Sequence, residues 1–185
     1  MLILKEFIGQ GAVRECYRHP QNKNKCVKIL KNSNDLKILK RELEIFLAVK
    51  NDLGKFILNY DDKLVMTNKG FGLVCELLTD DDGTLSKPVY HYFNNGKVYA
   101  ELQRQFYYFI YQLIEHNLYF YDFNLDNFII QKQNQSLNLK YIDLKSFENN
   151  KSWTFLKLEK IISPLAEAIM KRRLKKLLKL LGIPQ

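Results

Sequence analysis

The sequence predicts an α+β fold in two lobes. Three observations carry that expectation. Short apolar runs separated by turn residues fill residues 2 to 30, a helical period interrupts them after Asp35, and strand-like runs then return ahead of a second, longer helical pattern. Strands gather early and helices late, so the chain does not alternate them as a parallel α/β fold would.

Taken in order, "LILKEFI" leads through "GQG" to "AVRECYRHP" and, past the polar turn "QNKNK", to "CVKIL". These are three expected strands, the last two a hairpin turned at Pro20 and the asparagines after it. Leu36, Leu39, Leu43, Phe46 and Leu47 recur at helical spacing until "NDLG" stops the run. "KFILNY", "KLVMT" and "GFGLVCELL" read as the next strands, broken at Asp61-Asp62 and at Asn68-Lys69-Gly70, and the polar stretch "TDDDGTLSKP" follows. From Val98 to Asn117 the longest helical pattern puts Val98, Leu102, Phe106, Phe109, Ile110 and Leu113 on one face. "NFIIQ" and "LKYIDL" flank a polar turn as a second hairpin, and from about Trp153 the chain is helical and basic.

At 185 residues this is most simply one domain, and 46% apolar with 13% aromatic residues is too hydrophobic for a disordered chain. Cys16, Cys26 and Cys75 are odd in number and lack CxxC spacing, so neither a disulfide framework nor a zinc site is expected. Lys5 and Glu6 interrupt the start before a signal-like region forms, and no apolar run approaches a bilayer span. The expected location is the cytoplasm. The net charge of +9 is concentrated at the end, where eight basic residues face two acidic ones from Lys157 onward.

Four constellations carry chemistry. In "IGQGAVRECY" the pair Gly9 and Gly11 allows either an ordinary hairpin turn or one whose amides lie against a ligand. No helix follows these glycines, which disfavours a dinucleotide site of the Rossmann kind. Lys28, inside the strand "CVKIL", either faces solvent or lies under the sheet, reaching a phosphate and held by a helix carboxylate. Glu42 and Glu44 are the available partners, and Glu42 is preferred because it flanks Leu39 and Phe46 on the apolar side.

The third is "YFYDFNLDNFII". Asp122 and Asn127 are five residues apart, the spacing with which a kinase catalytic loop orients an attacking hydroxyl and holds a metal ion. A polar loop capping a helix end accounts for the same residues equally well. The fourth is Asp143, sixteen residues after Asn127 in "YIDL", a carboxylate at a strand end suited to Mg²⁺. Together the order runs glycine hairpin, strand lysine, helix glutamate, "LVCE" strand, long helix, Asp-x₄-Asn, hairpin, strand-end Asp. That is the order of the protein kinase fold, in which "LVCELL" occupies the place that meets adenine and Glu76 and Leu77 offer backbone groups.

With these residues in view the chain resembles the PhoP regulatory network YrbL family of bacterial kinase-like proteins. "GQGAVRECYRHP", "CVKIL" and "ELLTDDDGTLSKPV" carry the resemblance, over residues 7 to about 148. More widely it is similar to the lipopolysaccharide sugar kinases. The resemblance implies a kinase-like fold, a Gram-negative bacterial setting and a poorly defined substrate. Departures are plain. Arg14 replaces the third glycine of the nucleotide loop, either to clamp a phosphate or to project into solvent. Phe120 and Tyr121 stand where His and Arg usually precede the catalytic Asp, Leu144 and Lys145 follow Asp143 in place of Phe-Gly, and no Ala-Pro-Glu segment follows. The expected acceptor is therefore a small molecule rather than a protein.

The resulting expectation is a minimal bilobal kinase-like fold. Residues 1–78 form an antiparallel N-lobe with one helix, 79–84 a hinge, and 85–185 a reduced helical C-lobe ending in a basic helix. Its activity is ATP- and Mg²⁺-dependent phosphoryl transfer to a small-molecule or lipid-linked sugar hydroxyl, in envelope or lipopolysaccharide biology. Asp122 is the catalytic base, Lys28 and Glu42 its phosphate-contacting pair, Gly9 and Gly11 the phosphate cover, Glu76 and Leu77 the adenine contacts, and Asn127 and Asp143 the metal ligands. The alternative is a pseudokinase that binds and regulates. In the tail, Leu165, Ile169, Leu174, Leu177, Leu178 and Leu181 form an apolar stripe flanked by basic residues. Such a helix either packs on its lobe or lies on the anionic inner face of the inner membrane. No nucleic-acid recognition motif accompanies the charge.

Overall fold

The computed structural model describes residues 1–31, 36–116, 118–120, 124–144, 147–149 and 159–184. Its first half is a five-stranded antiparallel sheet. The strands are β1 (Phe7–Gln10), β2 (Arg14–Arg18), β3 (Lys25–Leu30), β4 (Tyr60–Thr67) and β5 (Gly70–Glu76), in the order β1-β2-β3-β5-β4. Helix α1 (Lys37–Leu53) is inserted after β3 and packs on β4 and β5. Its buried positions Leu39, Leu43, Phe46, Val49 and Leu53 are the 3.6-residue stripe read from the sequence.

Alternation along the strands splits the sheet into two faces. Tyr17, Val27, Ile29 and Val74 form a small outer core closed by Leu4, whose segment runs beside the end of β4 through Leu2 N–H donating to Met66 O at 2.9 Å. Arg14, Cys16, Cys26, Lys28, Leu73 and Cys75 share the inner face, because β2 and β3 pair Arg14 with Leu30 and Cys16 with Lys28, and β3 and β5 pair Cys26 with Cys75 and Lys28 with Leu73.

Two strand expectations are corrected here. Most of "KFILNY" is not a strand: α1 runs into a 3-10 turn at Gly54–Phe56, Ile57 makes an isolated bridge to Tyr141, and only Tyr60 belongs to a strand, as the first residue of β4. Phe56, Ile57 and Leu58 are all buried, so the apolar run is covered on every side rather than alternating. Asp61-Asp62 does not break a strand either. The register shifts between Tyr60 and Leu64, and that irregularity leaves Asp61 at 2.5 Å from Lys25 Nζ while β4 continues through it.

The second half is built on α2 (Ala100–Glu115), preceded by the short β6 (Lys87–Pro88) and the ribbon of β7 (Phe93–Asn94) and β8 (Lys97–Val98). The sequence reading began the helix at Val98, but Val98 belongs to the ribbon. Asn95 (φ 50°) and Gly96 (φ 73°) make the two-residue left-handed turn for which Asn-Gly is suited. Leu102, Phe106, Phe109, Ile110 and Leu113 of α2 are buried against the hairpin of β10 (Phe128–Gln133) and β11 (Ser136–Tyr141). Phe128 and Tyr141 meet edge to face there with ring centroids 5.2 Å apart, and the Phe106 ring lies 5.2 Å from that of Phe128. Strand β9 (Leu118–Phe120) pairs with β12 (Phe147–Asn149), a ribbon absent from the sequence reading. Helix α3 (Glu159–Leu180) closes the fold. Leu174, Leu177 and Leu181 are buried in the core, so the part of the apolar stripe that they form serves packing and leaves Lys171, Arg172, Lys175, Lys176 and Lys179 on the exposed side.

The segment joining the two halves is heavily tied. Asp80 Oδ1 accepts from Ser86 Oγ at 2.6 Å and from Lys132 N–H at 3.0 Å. Asp81 Oδ2 accepts from Asn134 N–H, and Asp82 Oδ1 from both donors of Thr84. The acidic run "TDDDGT" is therefore a set of turn and loop acceptors that pins the crossing to the tip of the β10–β11 hairpin.

Candidate active site

The inner face of the sheet, α1 and the end of β11 converge on four charged side chains. Lys28 enters from β3 with only 11% of its side chain exposed. Its Nζ lies 2.7 Å from Glu42 Oε1, 2.9 Å from the Tyr60 hydroxyl and 3.0 Å from the carbonyl of Ile142. Of the two helix carboxylates, Glu42 is fully buried and Glu44 is exposed. The Tyr60 hydroxyl also donates to Glu42 Oε1 at 2.6 Å, which fixes that carboxylate oxygen between phenol and ammonium. Burial pushes the Tyr60 phenol well above the ordinary range.

Arg14 completes the group. Rather than projecting into solvent it turns under the sheet, pairing with Glu42 Oε2 through Nη1 and with Asp143 Oδ1 through Nη2 at 2.8 Å. Asp143 is itself 7% exposed. Two cations and two carboxylates thus balance one another in a nearly dry site, the arrangement that buried charges require. Sequence reasoning weighed two fates for Arg14 and found neither of these partners. The signal was available only in part: residues 14, 16 and 28 share a face by strand alternation, but nothing local says that Asp143 lies beneath them. Tyr60 was missed because a strand-end tyrosine carries no mark of where its hydroxyl points.

Asn127 closes a 3-10 turn, Leu125–Asn127, capped by the Asn124 side chain, which accepts from Asp126 N–H at 3.1 Å. Its carbonyl accepts from Ile142 N–H at 3.0 Å, so Asn127 and Asp143 sit on neighbouring backbone segments. Asp122, expected as the base, lies outside the described residues. Gly9 and Gly11 lie at the β1–β2 hairpin, where Gly11 N–H donates to Arg14 O at 2.9 Å. A Cβ built on either glycine meets nothing within 4 Å, so the fold itself does not require glycine there.

Of the backbone groups that Glu76 and Leu77 were expected to offer, the two amides are engaged within the fold. Glu76 N–H donates to Asn59 O at 2.7 Å and Leu77 N–H to Asn24 O at 2.8 Å. Both donors are committed to the N-lobe, because the strand end is stitched to its neighbouring loops, and neither remains for an adenine edge.

Residues 1–182 match the family model described as PhoP regulatory network protein YrbL. The chain belongs to that family. No curated protein matches the YrbL-family chain by sequence. Among solved structures, it is similar to the crystal structure of a kinase domain with a TM-score of 0.57 and 16% identity, over 81% of this chain and 52% of that one. The YrbL-family chain spans about half the length of the kinase chain it matches. At that identity the likeness is one of fold: a minimal, bilobal, kinase-like α+β architecture.

Proposed function

We propose that the protein is an ATP- and Mg²⁺-dependent phosphotransferase whose acceptor is a small-molecule or lipid-linked sugar hydroxyl, in envelope or lipopolysaccharide biology. The observation that carries the reading is the assembled Lys28–Glu42 pair, 2.7 Å apart, in the same buried cluster as Asp143. Phosphoryl transfer asks mainly for positioning and charge neutralisation, and a fixed ammonium beside a strand-end carboxylate supplies both. In this reading Lys28 contacts the phosphates, Glu42 orients it, Gly9 and Gly11 let the β1–β2 hairpin approach them, and Asp122 positions the acceptor hydroxyl.

Asn127 and Asp143 offer an amide and a carboxylate, hard oxygen donors of the kind Mg²⁺ takes, on adjacent segments. They fit the ion. When bound, it would neutralise phosphate charge; the chain's own part is to hold those two oxygens and to present Lys28 beside them. A peripheral contact of the basic side of α3 with an anionic membrane belongs to the same proposal, through charge rather than through the buried leucines.

A second reading, a pseudokinase acting as a nucleotide-responsive binding protein, is favoured by one observation: Arg14 sits on Asp143 while the Glu76 and Leu77 amides are already used. Thermal unfolding with and without Mg-ATP separates the readings from an inert scaffold, and ATP turnover separates them from each other. Ligand at about 100 times its Kd stabilises by about 2.7 kcal/mol, a shift of roughly 5–10 °C at this size. The phosphotransferase reading expects that shift and a turnover lost in Asp122→Ala. Gly11→Ala, for which the fold has room, is expected to keep its own melting temperature and lose most of the shift. A shift without turnover would support the second reading, and no shift at millimolar nucleotide would end both.

A further inference from the structure

All three cysteines meet on the inner face of the sheet, away from any role in the site described above. Cys26 on β3 stands directly opposite Cys75 on β5, with the two sulfurs 3.4 Å apart. Cys16 on β2 is paired with Lys28, which places it one diagonal step from Cys26 on the same face. Exposure is graded across the trio: Cys16 is half-buried, Cys26 is 4% exposed and Cys75 fully buried.

Reactivity is graded the same way. The hydrogen bond from Cys26 lowers the Cys16 thiol, helped by the charges of Lys28 and Arg14, whereas its bonding to Cys16 and Cys75 and its burial push the Cys26 thiol well up. The accessible sulfur is therefore the nucleophilic one, and the buried Cys26 is inert on its own.

Bonding geometry points the other way. Directly opposed residues of an antiparallel pair have Cα atoms about 4.5–5.5 Å apart, inside the range a disulfide spans. Diagonal neighbours are about 7–8 Å apart, at or beyond its limit. Cys26–Cys75 is the bond the sheet accommodates, and a Cys16–Cys26 bond would be strained.

We infer that Cys16, Cys26 and Cys75 form a thiol relay that reacts with hydroperoxides and ends in a Cys26–Cys75 disulfide across β3 and β5. Cys16 thiolate attacks one peroxide oxygen; the S–O bond forms, the O–O bond breaks, and an alcohol or water leaves. Cys26 sulfur then attacks the sulfenic sulfur of Cys16, expelling water with the Cys26 proton. Cys75 sulfur, already beside Cys26, attacks it in turn; Cys16 leaves as thiolate and recovers the proton of Cys75. Two thiols have given two electrons, and one hydroperoxide has become an alcohol and a water. The last step runs toward the bond that the directly opposed β3–β5 pair accommodates without strain, which is the direction exchange favours.

The test uses the reduced full-length chain, equimolar hydrogen peroxide, an alkylating quench and peptide mapping, since each cysteine falls on a separate tryptic peptide. Wild type is expected to yield the Cys26–Cys75 linked pair. Cys75→Ser is expected to stop at Cys16–Cys26, and Cys16→Ser to slow formation of the inner disulfide at least tenfold. Alkylating Cys16 in wild type before adding peroxide is expected to give the same block without any substitution. Over-oxidation of Cys16 with no internal disulfide would overturn the inference, as would an inner disulfide that forms equally fast with Cys16 blocked.

Discussion

At the scale of single residues the site depends on Glu42. It is fully buried and faces Lys28, Arg14 and Tyr60 at once. Removing it leaves two cations in a dry site with one carboxylate between them, a mechanism that costs about 3–5 kcal/mol. Glu42→Ala should therefore lose that much stability in denaturant titration, whereas Glu44→Ala on the exposed side of α1 should be neutral. Tyr60 gives a second, pH-resolved prediction. Its phenol keeps its proton in the fold well above the value at which the unfolded chain releases it. The stabilisation it contributes is complete below the unfolded tyrosine pKa, about 10, and is lost progressively as pH rises above it. Tyr60→Phe cannot titrate, so its stability should fall less steeply than wild type between pH 10 and the alkaline end of the transition; parallel curves would show that the phenol is not linked to folding.

At the scale of elements, periodicity explains what was legible. The helices α1 and α2 were readable because each presents one buried face, which the 3.6 period reports directly, and the strands β1 to β5 because turn residues bound their apolar runs. "KFILNY" failed because Phe56, Ile57 and Leu58 are buried together and no period survives. Residues Phe93 to Val98 failed through an unread turn signal, Asn95-Gly96, that was present in the sequence all along. The lysine and glutamate of the site were legible from the order of elements, whereas the committed amides of Glu76 and Leu77 were not, because their partners Asn59 and Asn24 come from loops whose path no local pattern fixes. One element-level prediction follows from close packing. A Cβ on Gly72 of β5 would sit 2.5 Å from Val27 Cγ1 and 3.3 Å from both Ile29 Cγ2 and Thr67 Cγ2. Gly72→Ala must therefore push β3 and the end of β4 apart, and overpacking of this kind costs about 1–3 kcal/mol. Gly9→Ala, with open space around its Cβ, should leave the melting temperature unchanged by comparison.

Across the whole molecule the ties between the two halves include the Asp80 and Asp81 acceptors on the β10–β11 tip, Lys28 on the Ile142 carbonyl, and Arg14 on Asp143. Among the described residues, no helix is long and apolar enough to cross a membrane. Arg14 is the tie with a chemical consequence, since it balances the same carboxylate that the proposed function assigns to Mg²⁺. A divalent ion held by Asp143 would add two positive charges beside the Arg14 guanidinium, which lies 2.8 Å from Asp143 Oδ1, and a triphosphate would supply the negative charge that Arg14 needs on leaving that carboxylate. Metal and nucleotide should accordingly bind together far better than either alone, with Arg14 moving from carboxylate to phosphate. Arg14→Ala removes both the competitor at Asp143 and the phosphate partner. The expected result is opposite in sign for the two ligands: Mg²⁺ alone should stabilise Arg14→Ala more than wild type, and metal-free ATP should stabilise it less. Calorimetric titration of each ligand into each protein measures the four values. Equal Mg²⁺ affinity in the two proteins would mean that the guanidinium does not compete for Asp143, and the charge balance seen here would be structural only.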